Sequence, residues 1–269
     1  MPSPARYTHG HAESVLRSHR TRTVENSAAY LAPLLRPCQA VLDVGSGPGT
    51  ITVDLAERVR PGQVTALEMS EDALDHTRAE ARARGVENID FIVGDIHALE
   101  IPDASYDVVH AHQVLQHVSD PVTAIGEMVR VCRPGGLVAA RDGDYSGFTW
   151  HPASDGLDRW LTLYKMAARR NGGEPDAGRR LLDWAHQAGC SNVVATSSTW
   201  CYADPASRHE WGEMWAERIV GSAIADQLID DGLASLADLQ EISGAWRTWA
   251  AEPAGWISVL HGEVLIHVE

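Results

Sequence analysis

The sequence predicts an α/β fold: a doubly wound, mostly parallel sheet with helices on both faces and extra helical inserts forming a cap. Three observations carry that expectation. From Val41 to about residue 145, short apolar runs alternate with segments of helical periodicity, the pattern of strand–helix–strand units whose sheet is covered on both sides. The first apolar run breaks directly into a glycine-rich turn, VLDVGSGPGT, residues 41–50. After residue 150 the alternation lapses, and tryptophan-rich helical segments separate the last strand-like runs.

Taken in order, an N-terminal helix is expected around ENSAAYLAPLL, within a helical cap over residues 1–37. AVLDVG reads as a short buried strand, and GTITVDLAERV as the helix after the glycines. GQVTALEMS is a second strand, followed by EDALDHTRAEARARG, a helix stopped at Gly85. IDFIVGD and YDVVHAHQVL are strands three and four. DPVTAIGEMVRVCRPGG is a helix, with Asp120 placed to cap its start and Pro-Gly-Gly to end it. LVAARDGDY is the fifth strand and completes a cofactor-binding core over 38–150. In the remainder, 151–269, lid helices are expected near 152–172 and 205–252. AGRRLLDWAHQAGC is a further helix, NVVATSSTWCYA the sixth strand, and WISVLHGEVLIHVE the strand that closes the chain. All 269 residues are expected to form one domain, with ample material for a core.

Composition narrows the function. The net charge of −15 argues against a nucleic-acid partner, because a protein that follows a phosphate backbone normally carries a basic face. No apolar stretch approaches the roughly 20 residues of a membrane span, and the N-terminus MPSPARYTHGHAE lacks the apolar region of a secretory signal. The four cysteines, Cys38, Cys132, Cys190 and Cys201, form no C-x-x-C pair; a reducing, cytoplasmic setting fits them best.

The glycines Gly45, Gly47 and Gly49 permit positive φ and let a ligand approach the main chain. Dinucleotide sites use G-x-G-x-x-G. Here the spacing is G-x-G-x-G, and Thr50 stands where the third dinucleotide glycine belongs. Asp43, beside the loop, repels a pyrophosphate and attracts a cationic amine, so the loop favours a ligand of ammonium character. Glu68 ends the second strand and can accept hydrogen bonds from the two hydroxyls of a ribose. Met69 follows, able to lie against an adenine face, and Asp95 ends the third strand, able to accept from an adenine amino group beside the backbone of Ile96. Each acid alone could simply cap a following helix; three at successive strand ends make a more specific pattern.

VLDVGSGPG, ALEMS, FIVGDIHAL, YDVVHAHQVLQHVSDP and RVCRPGG together resemble a class I S-adenosylmethionine-dependent methyltransferase, of the ubiquinone- and menaquinone-biosynthesis type with its small-molecule relatives. The resemblance spans about residues 38–140. It implies a Rossmann-like, seven-stranded sheet with the last strand antiparallel, S-adenosylmethionine as cofactor, and methyl transfer to a small-molecule acceptor. Carried over by position, it implies that Asp43, Gly45, Ser46 and Gly47 contact the methionine part of the cofactor. Glu68 would hold the ribose, Met69 the adenine face, and Asp95 with Ile96 its edge. Ala111, His112 and Gln113 would lie by the methionine amine and the transfer point. The sequence departs from the family's usual small or apolar residues at HAHQVLQH, which carries histidines and a glutamine.

Methyl transfer asks the protein mainly to align the nucleophile and exclude water. A base is needed only where the acceptor loses a proton. His110 and His112 lie two apart on a strand and so share a face; His112, nearer the carboxyl end, is the candidate base. His11, on a possible N-terminal flap with Tyr7, is a second candidate base or substrate ligand, against a solvated histidine. His117 is read as a local support, and no metal site is expected. Asp142 reads as a turn residue, Asp144 as either turn or substrate contact, and Tyr145 and Trp150 as walls for an acceptor. Arg22 and Asn26 fall on the helix that packs over the cofactor carboxylate in this fold. The tryptophan-rich cap points to an apolar or aromatic acceptor. An NAD-dependent oxidoreductase and a non-catalytic cofactor-binding protein are the competing readings.

Overall fold

The computed structural model of the chain describes residues 19–269. Among them eight strands form one sheet: β1 (Val41–Val44), β2 (Val64–Glu68), β3 (Ile89–Val93), β4 (Tyr106–His112), β5 (Cys132–Gly143), β6 (Thr149–His151), β7 (Val193–Tyr202) and β8 (Trp256–His267). The order runs β3–β2–β1–β4–β5–β8, with β7 on the far edge of β8. β1 to β5 are parallel, whereas β8 runs antiparallel to β5, β6 and β7. The doubly wound arrangement and the antiparallel last strand are therefore as expected. The eighth strand is β6, three residues that pair with Trp256–Ser258 on the same edge of β8 after β5 has departed at His261.

The helices are α1 (Val24–Ser27), α2 (Thr50–Val59), α3 (Glu71–Arg84), α4 (Pro121–Val131), α5 (Asp155–Arg170), α6 (Leu181–Gln187), α7 (Pro205–Gly221), α8 (Ala223–Asp230) and α9 (Leu236–Ala251). Side chains cap them as the sequence suggests: Ser70 accepts from Ala73 N–H, Asp120 from Thr123 N–H, and Gly85 closes α3 in the left-handed conformation. Two local expectations are corrected. The N-terminal segment is not one helix over residues 25–35: α1, with its Thr23 capping box, ends after one turn, and a separate 3₁₀ turn, Ala32–Leu34, carries Pro33. Pro-Gly-Gly does not end α4 either. The helix stops at Val131, and Arg133–Gly136 form the irregular start of β5, where the register with β4 shifts and Gly135 takes a φ of +80°.

Three apolar clusters hold the layers together. Val24, Leu31, Leu55 and Leu74 pack on the sheet face of Val41, Ala66, Val108 and Ala139. On the opposite face, Ile125, Met128, Leu181 and Trp184 meet Leu42, Val109, Ala140 and Val264. The cap helices α5, α7, α8 and α9 have their own core around Trp160, Trp215 and Trp246, with Trp160 edge-on to the other two at 4.5 and 4.9 Å. Each such indole buries roughly 150–250 Å², enough to make these tryptophans the reason the cap folds. On the first face, the apolar strand residues give way toward the carboxyl ends to a polar tier. Asp43 is in register with His110, and His112 with Arg141, itself opposite Glu263.

Candidate functional site

The glycine turn follows β1 and opens α2, with φ of +69° at Gly45, +55° at Gly47 and +87° at Gly49. A Cβ on Gly45 would lie 2.5 Å from Val114 Cγ2, and one on Gly49 2.7 Å from Thr77 Cα, so both are needed for packing. A Cβ on Gly47 would meet nothing within 4 Å; it would project into open space at the carboxyl edge of the sheet. Hydrogen bonds fix the turn. Gly47 N–H donates to Glu68 Oε1 (2.7 Å), Thr77 Oγ1 donates to Gly47 O (3.0 Å), and the Ser46 and Thr77 hydroxyls lie 2.9 Å apart. Asp43 is buried, with one carboxylate oxygen accepting from Thr52 Oγ1 (2.6 Å) and the other 2.7 Å from His110 Nδ1. Its charge therefore acts on the loop from beneath.

At the neighbouring strand tips, Met69 is 66% exposed, a large apolar side chain displayed where packing alone would not leave it. Glu68 Oε2 accepts from Met69 N–H at 3.2 Å. Asp95 accepts from the backbone N–H of His97 and lies 2.7 Å from its Nδ1; these contacts, the backbone one foremost, hold its carboxyl below the usual range. Ile96 is buried beside it. The rim is thus rich in acceptors, with an apolar shelf and a cradle that a side chain at Gly47 would fill. Such a donor-poor rim suits the hydroxyls and amino group of an adenosine.

The end of β4 brings the next residues together. Ala111 is buried, and Gln113 takes a φ of +56°, a strained conformation for a non-glycine residue. Its side chain completes a chain of hydrogen bonds. Arg22 Nη2 donates to Gln113 Oε1 (2.7 Å), Gln113 Nε2 lies 2.8 Å from His261 Nε2, and His261 Nδ1 lies 3.0 Å from Val259 O. A carbonyl only accepts, so His261 carries its proton on Nδ1 and takes the Gln113 amide proton at Nε2. His112 is buried, and neither ring nitrogen has a hydrogen-bond partner. Burial first, then the charges of Arg22 and Arg141, keep its imidazole neutral well below the usual range. Trp200 of β7 lies 5.8 Å from His112 and 4.4 Å from His261, and its indole N–H donates to Asn26 O (2.7 Å).

A cavity of about 600 Å³ opens beside Trp200. Trp200, Tyr202 and Trp211 form its aromatic walls, with Arg22, Asn26 and Glu210 among its polar groups. Tyr202 and Trp211 stack at 4.4 Å.

Several expected roles move. Asp142 is no turn residue: it sits buried on β5, accepts from Gln116 N–H (3.0 Å), and burial lifts its carboxyl to about 7. Asp144 caps the turn at Tyr145–Gly147 and pairs with Arg179 at 2.6 Å. Tyr145 is buried in the cap core and Trp150 packs against it, so neither lines the cavity. Of the cap tryptophans singled out in the sequence, Trp211 lines the cavity, while Trp215, Trp246 and Trp249 belong to the cap's interior. His117 is half-buried beside Gln116, and desolvation with the charge of Arg22 takes its imidazole down to about 3. His11 and Tyr7 lie outside the described residues. Among the described residues, no group of three His, Cys, Asp or Glu side chains converges as metal ligands would, and no helix is long and apolar enough to cross a membrane. The sequence reading passed over Thr77, Trp200, Arg141, His261 and Glu263. The one available signal was a histidine and a glutamate inside the apolar run WISVLHGEVLIHVE.

Known proteins resemble this chain along its length. A family model described as a methyltransferase domain matches residues 36–198. An uncharacterized methyltransferase of Schizosaccharomyces pombe is 32% identical, over 98% of this chain and 96% of that protein. A ubiquinone/menaquinone biosynthesis C-methyltransferase of a Ruegeria species is 32% identical over 55% of this chain and 57% of its own length. Among solved structures, a phosphoethanolamine N-methyltransferase of Haemonchus contortus, in complex with phosphomonomethylethanolamine and S-adenosylhomocysteine, shares the fold. The match has a TM-score of 0.54 at 16% identity and covers 87% of this chain and 50% of that one.

Proposed function

As this chain belongs to the S-adenosylmethionine-dependent methyltransferases, transferring a methyl group to a small molecule, we propose that its acceptor is apolar or aromatic, sits beside Trp200, and gives up its proton to His112. The carrying observation is His112 itself: a buried, neutral imidazole at the carboxyl end of β4, with both ring nitrogens unpartnered, next to the wall of an aromatic cavity. A buried polar ring is normally paired. One left open beside a cavity is placed to take a proton from a group that arrives there.

When bound, S-adenosylmethionine supplies a methyl group on a positively charged sulfur. The residues of this chain do the rest. The Gly45–Ser46–Gly47 turn, underlain by the Asp43 carboxylate, cradles the amino-acid end, and Ala111 and Gln113 flank it. Glu68, whose carboxylate also accepts from the backbone of the turn, accepts from the ribose hydroxyls. Met69 covers the adenine face, and Asp95 with the Ile96 backbone reads its edge. Trp200, Tyr202 and Trp211 position the acceptor and exclude water, which is most of what an in-line displacement requires. His112 takes the acceptor's proton on an unprotonated ring nitrogen. The family match gives no support to the oxidoreductase or non-catalytic alternatives. Four cysteines, none in a disulfide, favour a reducing cytoplasm.

The test is His112→Ala, assayed with an acceptor found by screening metabolites for cofactor turnover. We expect turnover to fall by roughly 10²–10⁴, the usual contribution of a general base, with S-adenosylhomocysteine affinity held within about threefold by calorimetry. Wild-type turnover in that variant would remove His112 from the chemistry.

A further inference from the structure

A donor-rich cluster lies buried on the acceptor side of the transfer point. Arg141 of β5 has no exposed surface. Its Nε is 3.1 Å from Ser198 Oγ and 3.2 Å from Glu263 Oε1, but neither Nη1 nor Nη2 reaches an acceptor. His112 stands in register beside it on β4, with both ring nitrogens open. The Tyr30 hydroxyl, near enough to feel the charges of Glu263 and Arg141, is also buried without a partner. Glu263 serves none of these groups: its Oε2 accepts from Thr196 (2.7 Å), its Oε1 from Ser198 and the Arg141 Nε, and none of the open donors reaches it. The fork of Arg141 offers four N–H bonds, Tyr30 an O–H and His112 one N–H, against two open acceptors, the unprotonated nitrogen of His112 and the Tyr30 oxygen. Buried donors without partners destabilise a fold and are rare. Two on neighbouring strands and a third in the segment that precedes β1 call for an acceptor-rich occupant.

We propose that the acceptor is a carboxylic acid whose carboxylate seats on the guanidinium fork of Arg141, its body filling the cavity beyond Trp200. The inference rests on the reading that the acceptor binds beside Trp200. A planar carboxylate matches the arginine fork in two parallel hydrogen bonds and supplies the lone pairs that this cluster lacks. Position selects the acceptor over the cofactor. The cofactor residues lie at the tips of β1 to β4, whereas the hydrogen bonds of Arg141 run to β8 and β7, on the side away from the glycine turn. Trp200 joins the two parts of the site: its ring is 5.0 Å from the Arg141 guanidinium carbon, and it lines the cavity. In the closed arrangement the fork has no contact with solvent. It is reached when Trp200 and the segment above it yield; that segment is fastened by the Trp200–Asn26 and Arg22–Gln113 hydrogen bonds. An acid anchored there brings its reacting group alongside His112.

The test titrates protein saturated with S-adenosylhomocysteine with aromatic and aliphatic acids (benzoate, 4-hydroxybenzoate, cinnamate, hexanoate) and with the corresponding primary amides. At least one acid is expected to bind about tenfold or more tighter than its amide, as a charge-assisted pair does. In the double variant Arg141→Met with Glu263→Gln, which leaves no buried charge unpaired, that preference should vanish. Thermal unfolding and S-adenosylhomocysteine affinity should stay near wild type, showing that the variant folds. No acid preference in the wild type, or a preference that survives in the double variant, overturns the proposal. So does loss of S-adenosylhomocysteine binding with 5′-methylthioadenosine binding retained, because the fork would then hold the cofactor's own carboxylate. Loss of turnover in His112→Ala with no acid preference in the wild type would sink this inference alone and leave the acceptor site standing.

Discussion

Gly47→Ala separates what the glycine turn does for the fold from what it does for the cofactor. Gly47 takes a φ of +55°, and a Cβ there meets no protein atom within 4 Å. The folded chain alone therefore bears only the left-handed strain of a non-glycine residue, about 1–2 kcal/mol. For a domain of this size each kcal/mol lowers the Tm by roughly 2–4 °C. The methyl also enters the space assigned to the cofactor, where overpacking costs a further ~1–3 kcal/mol, or about 5- to 150-fold in affinity at tenfold per 1.4 kcal/mol. Gly85→Ala is the matched control. Gly85 has a φ of +66°, also with nothing within 4 Å, but it caps α3 far from the turn. Differential scanning fluorimetry should show similar Tm losses for the two variants. Calorimetry should show S-adenosylhomocysteine bound normally by Gly85→Ala and at least fivefold more weakly by Gly47→Ala. Equal affinity in the two would refute the cradle and move the cofactor off this turn.

Trp211→Ala, which removes a cavity wall, should raise the acceptor KM about tenfold or more while S-adenosylhomocysteine affinity stays unchanged; a normal KM would place the acceptor elsewhere. His11→Ala should lower turnover on the same acceptor without changing Tm by more than about 1 °C if His11 acts on substrate, and wild-type kinetics would return it to a solvated histidine. Stability against pH carries opposite signs from half-buried His117 and buried Asp142. His117 is held near 3 against about 6.5 unfolded, so the unfolded chain binds the extra proton and stability falls as pH drops below about 6.5, by about 2 kcal/mol at pH 5. Asp142 is raised to about 7, so its stabilising proton is fully held below the unfolded value near 4 and lost as pH rises through 7, about 2 kcal/mol between pH 5 and 7. Urea titrations at pH 5 and 7 should therefore show His117→Gln less sensitive to acid than wild type and Asp142→Asn more so. Parallel shifts in both variants would contradict these assignments.

Much of the cofactor half was legible because it is local. Gly45 to Gly49, Glu68, Met69 and Asp95 each follow directly on a strand end, and turn chemistry with strand periodicity locates strand ends. The acceptor half is assembled across the chain. Arg22 meets Gln113 from 91 residues away, Gln113 meets His261 from 148, and Trp200 meets Asn26 from 174. No window of sequence holds both partners. The tryptophans show the same limit from the other side. Trp211 and Trp215 lie one turn apart on α7, yet one lines the cavity and the other is interior to the cap; composition marks both alike, and only the packing of α5 and α9 tells them apart. Asp142 and Arg141 adjoin on β5 and point to opposite faces, one beneath Gln116 and the other into the donor cluster.

The two halves meet at one place, the end of β4. Gly45 packs on Val114, so the cofactor turn rests against the residue after Gln113. Gln113 in turn binds Arg22 and His261, which border the Trp200 wall. Its left-handed backbone would be relieved by glycine, but glycine would lose both side-chain contacts. Strain of this kind persists where surrounding structure over-determines it, and here that structure is the cofactor turn on one side and the acceptor wall on the other. A single strained residue set between the two, its neighbour Val114 against the turn and its own side chain in the wall, gives the fold a fixed distance between donor and acceptor, and for an in-line displacement that distance is the quantity the protein must hold.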